Sequence, residues 1–64
     1  MKVKTKIQIK RREKKFSQME VAYDSEISLR NYQRIEVGKA RPRIDTAIRI
    51  ANKLEVKDLR ELFD

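Results

Sequence analysis

The stretch SQMEVAYDSEISLRNYQRIEVGK, residues 17–39, decides the fold because two helix starts lie close together within it. Ser17 and Glu20 form the Ser-x-x-Glu pattern of a capping box, in which the serine oxygen accepts the amide of the third helical residue and the glutamate reaches back to the cap amide. Ser28 is a second good N-cap residue, and Gly38, the single glycine of the chain, is a natural helix C-cap. The pattern predicts two helices joined by a turn of a few residues.

Helical signals also extend over the rest of the chain. Thr5 and Gln8 fit another capping-box pattern, although the alternation of charged and β-branched residues over 2–10 is also typical of a strand. A lone strand would need a partner that the sequence does not supply, so we favour a helix. Asp45 and Asp58 are candidate N-caps of two further helices. The sequence predicts an all-α, compact bundle of five short helices, over residues 5–15, 18–25, 29–37, 45–54 and 58–63, after a basic arm at residues 1–4.

Apolar residues give the last two predicted helices a face to bury. In the fourth helix they recur at three-and-four spacing, which predicts a buried stripe formed by Ile44, Ala47, Ile48, Ala51 and Leu54. In the last helix they are Leu59, Leu62 and Phe63, which either complete the monomer core or form the surface of a dimer. We expect Leu59 to lie in the core and Phe63 to be more open.

Length and composition exclude several classes of function. Sixty-four residues form one domain with a small core. The chain has no cysteine and no histidine, which excludes disulfides, thiolate or imidazole metal sites, and Cys-His or Ser-His catalysis. Paired inward carboxylates, a phosphate loop and an activated nucleophile cannot be identified either, so we expect neither enzyme activity nor a cofactor. Without an apolar run long enough for a membrane span or signal peptide, a cytoplasmic protein is predicted.

The net charge of +7 is distributed unevenly. Residues 1–15 contain eight Lys or Arg and one acid, whereas residues 16–64 contain nine of each. This excess favours a polyanion as partner, with nucleic acid ahead of a membrane surface. The arm with Lys2, Lys4 and Lys6 either adds nonspecific attraction, which we favour, or enters a minor groove. A second basic cluster lies further along the chain, at Arg30, Arg34, Lys39, Arg41 and Arg43.

The second helix of the opening stretch has two opposite faces. At about 100° per residue, Tyr32 and Ile35 lie on one side, and the other side carries Arg30, Gln33 and Arg34. A helix that packs through its tyrosine and isoleucine therefore holds two guanidinium groups and one amide in solvent. An α-helix fits the major groove of B-DNA, where Arg binds guanine and Gln binds adenine bidentately. Because exposed amphipathic helices in general show such a polar face, the wheel alone leaves both interpretations open.

Two short helices joined by a tight turn, the second with its N-terminal half exposed, form the helix-turn-helix unit. With the segments SQMEVAYDSEISLRNYQRIEVGKARP and IDTAIRIANKLEV, the chain resembles the Cro/CI-type (XRE) helix-turn-helix family of phage repressors and small bacterial regulators. The resemblance implies a lambda-repressor-like fold, in which the first helix of the motif crosses the DNA backbone and the second lies in the major groove. It extends from about Ile7 to Phe63 and is most specific at Ser17, Gln18, Val21, Ala22, Ile35, Glu36, Gly38, Lys39, Pro42, Ala51 and Leu54.

The resemblance also implies roles for individual residues. Arg11 and Glu36 correspond to a structural ion pair between the first and third helices. Leu29 either touches a thymine methyl group or packs on the turn. The base-contacting residues would be Ser28, Leu29, Arg30, Gln33 and Arg34, with Arg30 and Gln33 the favoured readers. The phosphate-contacting residues would be Gln18, Lys39, Arg41 and Arg43, of which the last three also fit a solvated charged loop.

Three positions depart from the family pattern, and one of them is Lys10, which replaces the usual large apolar residue of the first helix. Glu26 stands where the turn of the motif usually has glycine, and Glu55 replaces another common glycine after the fourth helix. A non-glycine residue at positive φ costs about 1 kcal/mol. We therefore expect the turn at Glu26 either to carry this strain or to bend differently.

The favoured function is a sequence-specific, double-stranded DNA-binding regulator of transcription, a repressor that binds a palindromic operator as a homodimer. The predicted dimer surface consists of Leu59, Leu62 and Phe63. The alternative is an antitoxin or another protein-interaction module in which DNA binding is secondary. RNA binding is disfavoured because the chain has only two Phe and two Tyr and no Trp on which bases could stack.

Overall fold

Five helices make up the part of the chain that the computed structural model describes, residues 5–63. The predicted all-α class and the five-helix bundle are confirmed, since residues 5–63 contain no strand. Within this range no helix is long and apolar enough to cross a bilayer. Lys2 and Lys4 of the predicted arm lie outside the described residues, as does Asp64. The helices are α1 (Lys6–Glu13), α2 (Gln18–Asp24), α3 (Leu29–Glu36), α4 (Ile44–Lys53) and α5 (Arg60–Phe63).

Side-chain caps define the starts of the first three helices. The Ser17 hydroxyl accepts the Glu20 N–H at 3.0 Å, and the Glu20 carboxylate accepts the Ser17 N–H at 2.8 Å, which completes the capping box. Thr5 and Ser28 each accept the amide of the residue three positions later, at 3.2 and 3.0 Å. Each cap satisfies an amide that has no partner within its helix and stabilises the helix by about 1 kcal/mol.

The predicted cap of α4 is wrong. The helix begins at Ile44 after Arg43, which makes no side-chain cap, and Asp45 lies within the first turn. A carboxylate in the first turn is still favourable because it faces the positive end of the helix dipole. In the last helix, Asp58 accepts the N–H of Arg60 at 3.0 Å, although α5 itself begins only at Arg60.

The core lies between the apolar faces of all five helices. Val21, Tyr32, Ile50 and Leu54 are fully buried within it. Complete burial of an aliphatic side chain such as that of Ile50 or Leu54 contributes about 1.5–3 kcal/mol. The apolar stripe predicted for α4 is partly wrong. Ala47, Ala51 and Leu54 are buried together with Ile50, whereas Ile44 and Ile48 are exposed.

Among residues 5–63, three non-glycine residues adopt the left-handed conformation, each shortly after a helix. They are Lys15 (φ 62°), Glu26 (φ 61°) and Glu55 (φ 59°), while Gly38 has a φ of 83°. Of the two outcomes considered for Glu26, the structure shows the first: the turn keeps the left-handed conformation. The glutamate therefore carries a backbone cost of roughly 1–2 kcal/mol that glycine would avoid.

Candidate nucleic-acid interface

Helix α3 presents one face to the core and the other to solvent, as the helical wheel predicts. Tyr32 and Ile35 are buried, whereas Arg30, Gln33 and Arg34 are exposed. The three exposed side chains offer two guanidinium groups and one carboxamide along a single helix face. All are donors or acceptors of the type that reads base edges in the major groove.

The turn between α2 and α3 is held by backbone hydrogen bonds. The N–H of Ser25 bonds to the carbonyl of Val21 at 3.0 Å, and the N–H of Ile27 bonds to the carbonyl of Ala22 at 3.1 Å. Val21 and Ala22 are buried, so α2 is fixed to the core by the same residues that accept these bonds. The direction in which α3 leaves the turn therefore follows from the backbone and the core.

A buried ion pair fixes the other end of α3 to α1. The guanidinium of Arg11 donates from Nε to Glu36 Oε2 at 2.7 Å and from Nη2 to Glu36 Oε1 at 3.1 Å. Arg11 is 8% exposed and Glu36 only 1%. The Tyr32 hydroxyl donates to Glu36 Oε2 at 2.5 Å, and Arg11 Nη1 donates to the carbonyl of Phe16 at 2.8 Å. The bidentate geometry is the strong form of the Arg-carboxylate interaction.

The protonation states of this cluster follow from its contacts. Burial alone would raise the pKa of the Glu36 carboxyl, but hydrogen bonds from Arg11, Tyr32 and Gln18 outweigh it and lower this pKa below its ordinary value. The hydrogen bond to Glu36 raises the pKa of Arg11 despite its burial. Burial, and then the hydrogen bond to Glu36, raises the pKa of the Tyr32 hydroxyl. The carboxylate is therefore ionised and its partners are protonated, an arrangement suited to a structural role.

Gln18, predicted from the resemblance to contact a phosphate, makes two hydrogen bonds within the protein. Its Nε2 donates to Glu36 Oε1 at 3.0 Å, and its Oε1 accepts from Gln33 Nε2 at 3.1 Å. An amide nitrogen carries two hydrogens, so one N–H of Gln18 remains for another acceptor. The sequence did not indicate the bond between Gln18 and Gln33, because the two residues lie 15 positions apart.

The remaining base-contact candidates differ in their exposure and in the contacts that they already make within the protein. Ser28 is exposed, but its hydroxyl already caps α3 through the N–H of Asn31. Leu29 is half-buried and packs against the core, which agrees with the packing alternative for this residue. Arg30 and Arg34 have exposed side chains, and no salt bridge to either is seen in residues 5–63.

The basic loop after α3 begins beside the C-terminal end of that helix. The N–H of Lys39 bonds to the carbonyl of Arg34 at 2.8 Å, so the loop folds back over the end of α3. The side chains of Lys39, Arg41 and Arg43 are exposed.

No three carboxylates among residues 5–63 come together in a way that could hold a metal ion.

The predicted dimer residues do not share one environment. Leu62 is buried in the core of the monomer, and Leu59 and Phe63 are half-buried against it. The three residues line an open apolar groove of about 720 Å³, whose rim includes Ile44. Ile44 is 68% exposed, although its spacing in the sequence predicts a place in the buried stripe of α4.

Comparison with known families agrees with this geometry. Residues 7–62 match the family model described as Helix-turn-helix. No curated protein and no solved structure matches the chain. The matched range includes α2, the turn, α3 and the Arg11–Glu36 pair, and it covers most of the chain. The chain therefore belongs to the Cro/CI-type (XRE) helix-turn-helix family of DNA-binding transcription regulators.

Proposed function

We propose that the protein is a sequence-specific repressor that binds a palindromic operator as a homodimer. The observation that carries this proposal is the exposed face of α3, on which Arg30, Gln33 and Arg34 stand opposite the buried Tyr32 and Ile35. A helix anchored in this way can enter the major groove without exposing its apolar side chains.

Sequence reading is assigned to the side chains on this face. Arg30 and Arg34 can each bind guanine O6 and N7 through two N–H groups, and Gln33 can bind adenine N6 and N7. Each such pair contributes about 1–3 kcal/mol of discrimination against the wrong base. Ser28 and Leu29 lie at the start of the same helix, but the Ser28 hydroxyl caps α3 and Leu29 packs against the core, so base reading is assigned to Arg30, Gln33 and Arg34.

Affinity is assigned mainly to the phosphate contacts, because these are charge interactions that every duplex offers. Lys39, Arg41 and Arg43 supply three exposed cations in the loop that folds back over α3. The remaining N–H of Gln18 would add a neutral contact at the start of α2. These contacts orient the protein on the duplex without selecting a sequence.

A dimer is part of the proposal because α3 is short. Helix α3 has eight residues and reaches only a few base pairs, so useful specificity requires a second copy on a second half-site about 34 Å away. The monomer measures 31 × 24 × 23 Å, dimensions that suit two adjacent copies on successive major grooves. Phe63, Leu59 and the exposed Ile44 at the apolar groove supply the proposed contact surface.

Selection of bound duplexes from a random pool tests the proposal. The purified protein is expected to recover a palindromic consensus, and Arg30→Ala is expected to lose the preference at one position of each half-site. Arg12→Ala, which removes an exposed arginine from α1, is the matched control and should weaken binding only modestly on all sequences. Recovery of no consensus, with binding that depends on salt alone, would contradict a sequence-specific regulator.

The alternative function, an antitoxin or other protein-interaction module, is favoured by one observation. The groove lined by Leu59, Leu62 and Phe63 is apolar, and Ile44 at its rim is exposed, as expected for a surface that a protein covers. Sedimentation of the purified chain distinguishes the two uses of this surface. A dimer that Ile44→Asp converts to a monomer supports the repressor, whereas a monomer at all concentrations favours a different protein partner.

A further inference from the structure

Positive charge surrounds the apolar groove between α1, α4 and α5. Three cationic residues from different segments line it: Lys6 at the start of α1, Arg41 in the loop after α3, and Arg60 at the start of α5. None of the residues within 5–63 that line the groove is acidic. The electrostatic field at the groove therefore favours an occupant that carries a negative charge.

Two of the three cations are not balanced by a neighbouring carboxylate. Arg60 Nη2 lies 3.1 Å from Asp58 Oδ2, whereas no salt bridge to the exposed Lys6 or Arg41 is seen within residues 5–63. The Thr5 hydroxyl donates to the backbone carbonyl of the last residue of α3 at 2.5 Å, which joins the start of α1 to the end of α3. Lys6 and Arg41 thus belong to segments that this bond holds together beside the groove.

The floor and volume of the groove suit a small apolar molecule. The volume of about 720 Å³ lies within the range of about 300–1,000 Å³ that is usual for ligand sites. An apolar surface with a few charged groups that fix the orientation of the ligand is also typical of such sites. The large apolar side chains that line the groove are Ile7, Ile35, Ile44, Leu59, Leu62 and Phe63.

We propose that the apolar groove binds an amphipathic carboxylate, of the class of medium-chain fatty acids, and that this ligand competes with DNA. Its hydrocarbon chain lies on the apolar floor, and its carboxylate binds to Lys6 and Arg41, whose charges it balances. The competition rests on the proposed function. The ligand would cover Leu59 and Phe63 of the proposed dimer surface and would occupy Arg41, a proposed phosphate contact.

Titration of the free protein with decanoate tests the binding site without DNA. Backbone amide signals are followed by NMR below the concentration at which decanoate forms micelles. We expect saturable binding with a dissociation constant of about 1 mM or below, and shifts concentrated at Ile7, Gly38 and Ile44. Decanol has the same chain without the charge and should bind about twofold to fivefold more weakly. Equal affinity for both ligands, or shifts located elsewhere, would overturn the proposal.

Substitutions at exposed residues separate the site from general charge attraction. Arg41→Ala should weaken decanoate binding by about twofold to fivefold and leave decanol binding unchanged. Arg12→Ala is the control, because it removes an exposed arginine that does not line the groove, and it should affect neither ligand. Equal losses in the two arginine variants would show nonspecific attraction and overturn the site.

A second pair of variants tests the apolar contact. Ile44→Asp should weaken the binding of both decanoate and decanol, because it places a charged side chain at the rim of the groove. Ile48→Asp introduces the same charge at another exposed isoleucine of α4 that does not line this groove, and it should retain binding. Adsorption to phosphatidylglycerol vesicles without saturable binding of monomeric decanoate would identify a membrane surface as the occupant and overturn the proposal.

DNA binding in the presence of the ligand tests the competition and keeps the two proposals apart. At about ten times its dissociation constant, decanoate should weaken binding to the preferred duplex about tenfold or more, with sodium acetate as the control for ionic strength. Unchanged DNA affinity with decanoate bound would overturn the competition. If decanoate binds in the groove but the protein prefers no duplex, the regulator function fails and the binding site stands.

Discussion

Replacing Glu36 with alanine (Glu36→Ala) is expected to remove most of the stability of the protein. The substitution deletes a carboxylate that accepts two hydrogen bonds from Arg11 and one each from Tyr32 and Gln18. It leaves a guanidinium that is 8% exposed and a tyrosine hydroxyl in a fully buried residue, both without their acceptor. Gln18 is nearer to solvent and can find water.

The magnitude can be worked out from these contacts. Removing one partner of a buried ion pair costs about 3–5 kcal/mol, and an unsatisfied buried hydroxyl costs about 1–3 kcal/mol. Because both groups lose the same acceptor, the costs overlap, and we expect a total near 4–5 kcal/mol. A chain of 64 residues has a free energy of unfolding of roughly 3–10 kcal/mol. At about 4–8 °C per kcal/mol, the melting temperature should fall by roughly 20 °C or more.

Thermal and urea unfolding followed by circular dichroism provide the assay. Asp24→Ala is the control because it breaks a partly exposed ion pair with Lys53, at 2.6 Å, and should cost about 1 kcal/mol or less. Combining Arg11→Met with Glu36→Ala removes the stranded charge, so the double variant should be more stable than the sum of the single losses predicts. A Glu36→Ala variant that melts within about 5 °C of the unmodified protein, or a strictly additive cycle, would refute the reasoning.

Four further predictions concern stability and DNA binding. The folded-state pKa of Glu36 lies below its ordinary value of 4.5, so its contribution to stability is present above about pH 4.5 and lost as the pH falls through the folded-state pKa. Between pH 6 and pH 2, the urea midpoint should therefore fall more with decreasing pH for the unmodified protein than for Glu36→Gln. Ser25→Ala should raise the free energy of unfolding by up to about 1 kcal/mol, because the buried Ser25 hydroxyl finds no partner in residues 5–63. The urea midpoint should rise accordingly, and a lower midpoint would contradict this. Glu26→Gly should stabilise the protein by about 0.5–1 kcal/mol in thermal melts, because relief of about 1–2 kcal/mol of strain at φ 61° exceeds the roughly 0.4–1 kcal/mol by which glycine stabilises the unfolded chain. Arg41→Ala should reduce the slope of log binding constant against log salt by about one, and an unchanged slope would exclude a phosphate contact by Arg41.

The helices and the faces of α3 could be predicted because their signals are local. A capping residue acts on an amide three positions away, and the two faces of α3 follow from its 3.6-residue period. The Ser17–Glu20 capping box and the exposure of Arg30 and Gln33 needed no knowledge of the fold. The Arg11–Glu36 contact spans 25 positions, and only the family resemblance indicated it.

The exposure of Ile44 and Ile48 could not be predicted in the same way. Helical spacing shows that a stripe of α4 is apolar, but the neighbouring helices determine which edge of that stripe is covered. The interior of the stripe packs with α2, whereas α5 has only four residues and leaves the outer edge open. Ile44 and Ile48 therefore remain at the surface although their positions fit a buried stripe.

The hydrogen bonds of Glu36 connect the anchor of α3 to the residues near its exposed face. Its carboxylate anchors α3 to Arg11 and also accepts a hydrogen bond from Gln18, so a change at Glu36 affects the fold and a contact at the start of α2. Arg30 and Gln33 stand at the exposed end of this arrangement, where substitutions alter few packed contacts and typically change stability by less than about 0.5 kcal/mol. Substitutions on the exposed face of α3 can therefore change the proposed base contacts without loss of the fold, whereas the anchoring pair cannot change one partner at a time.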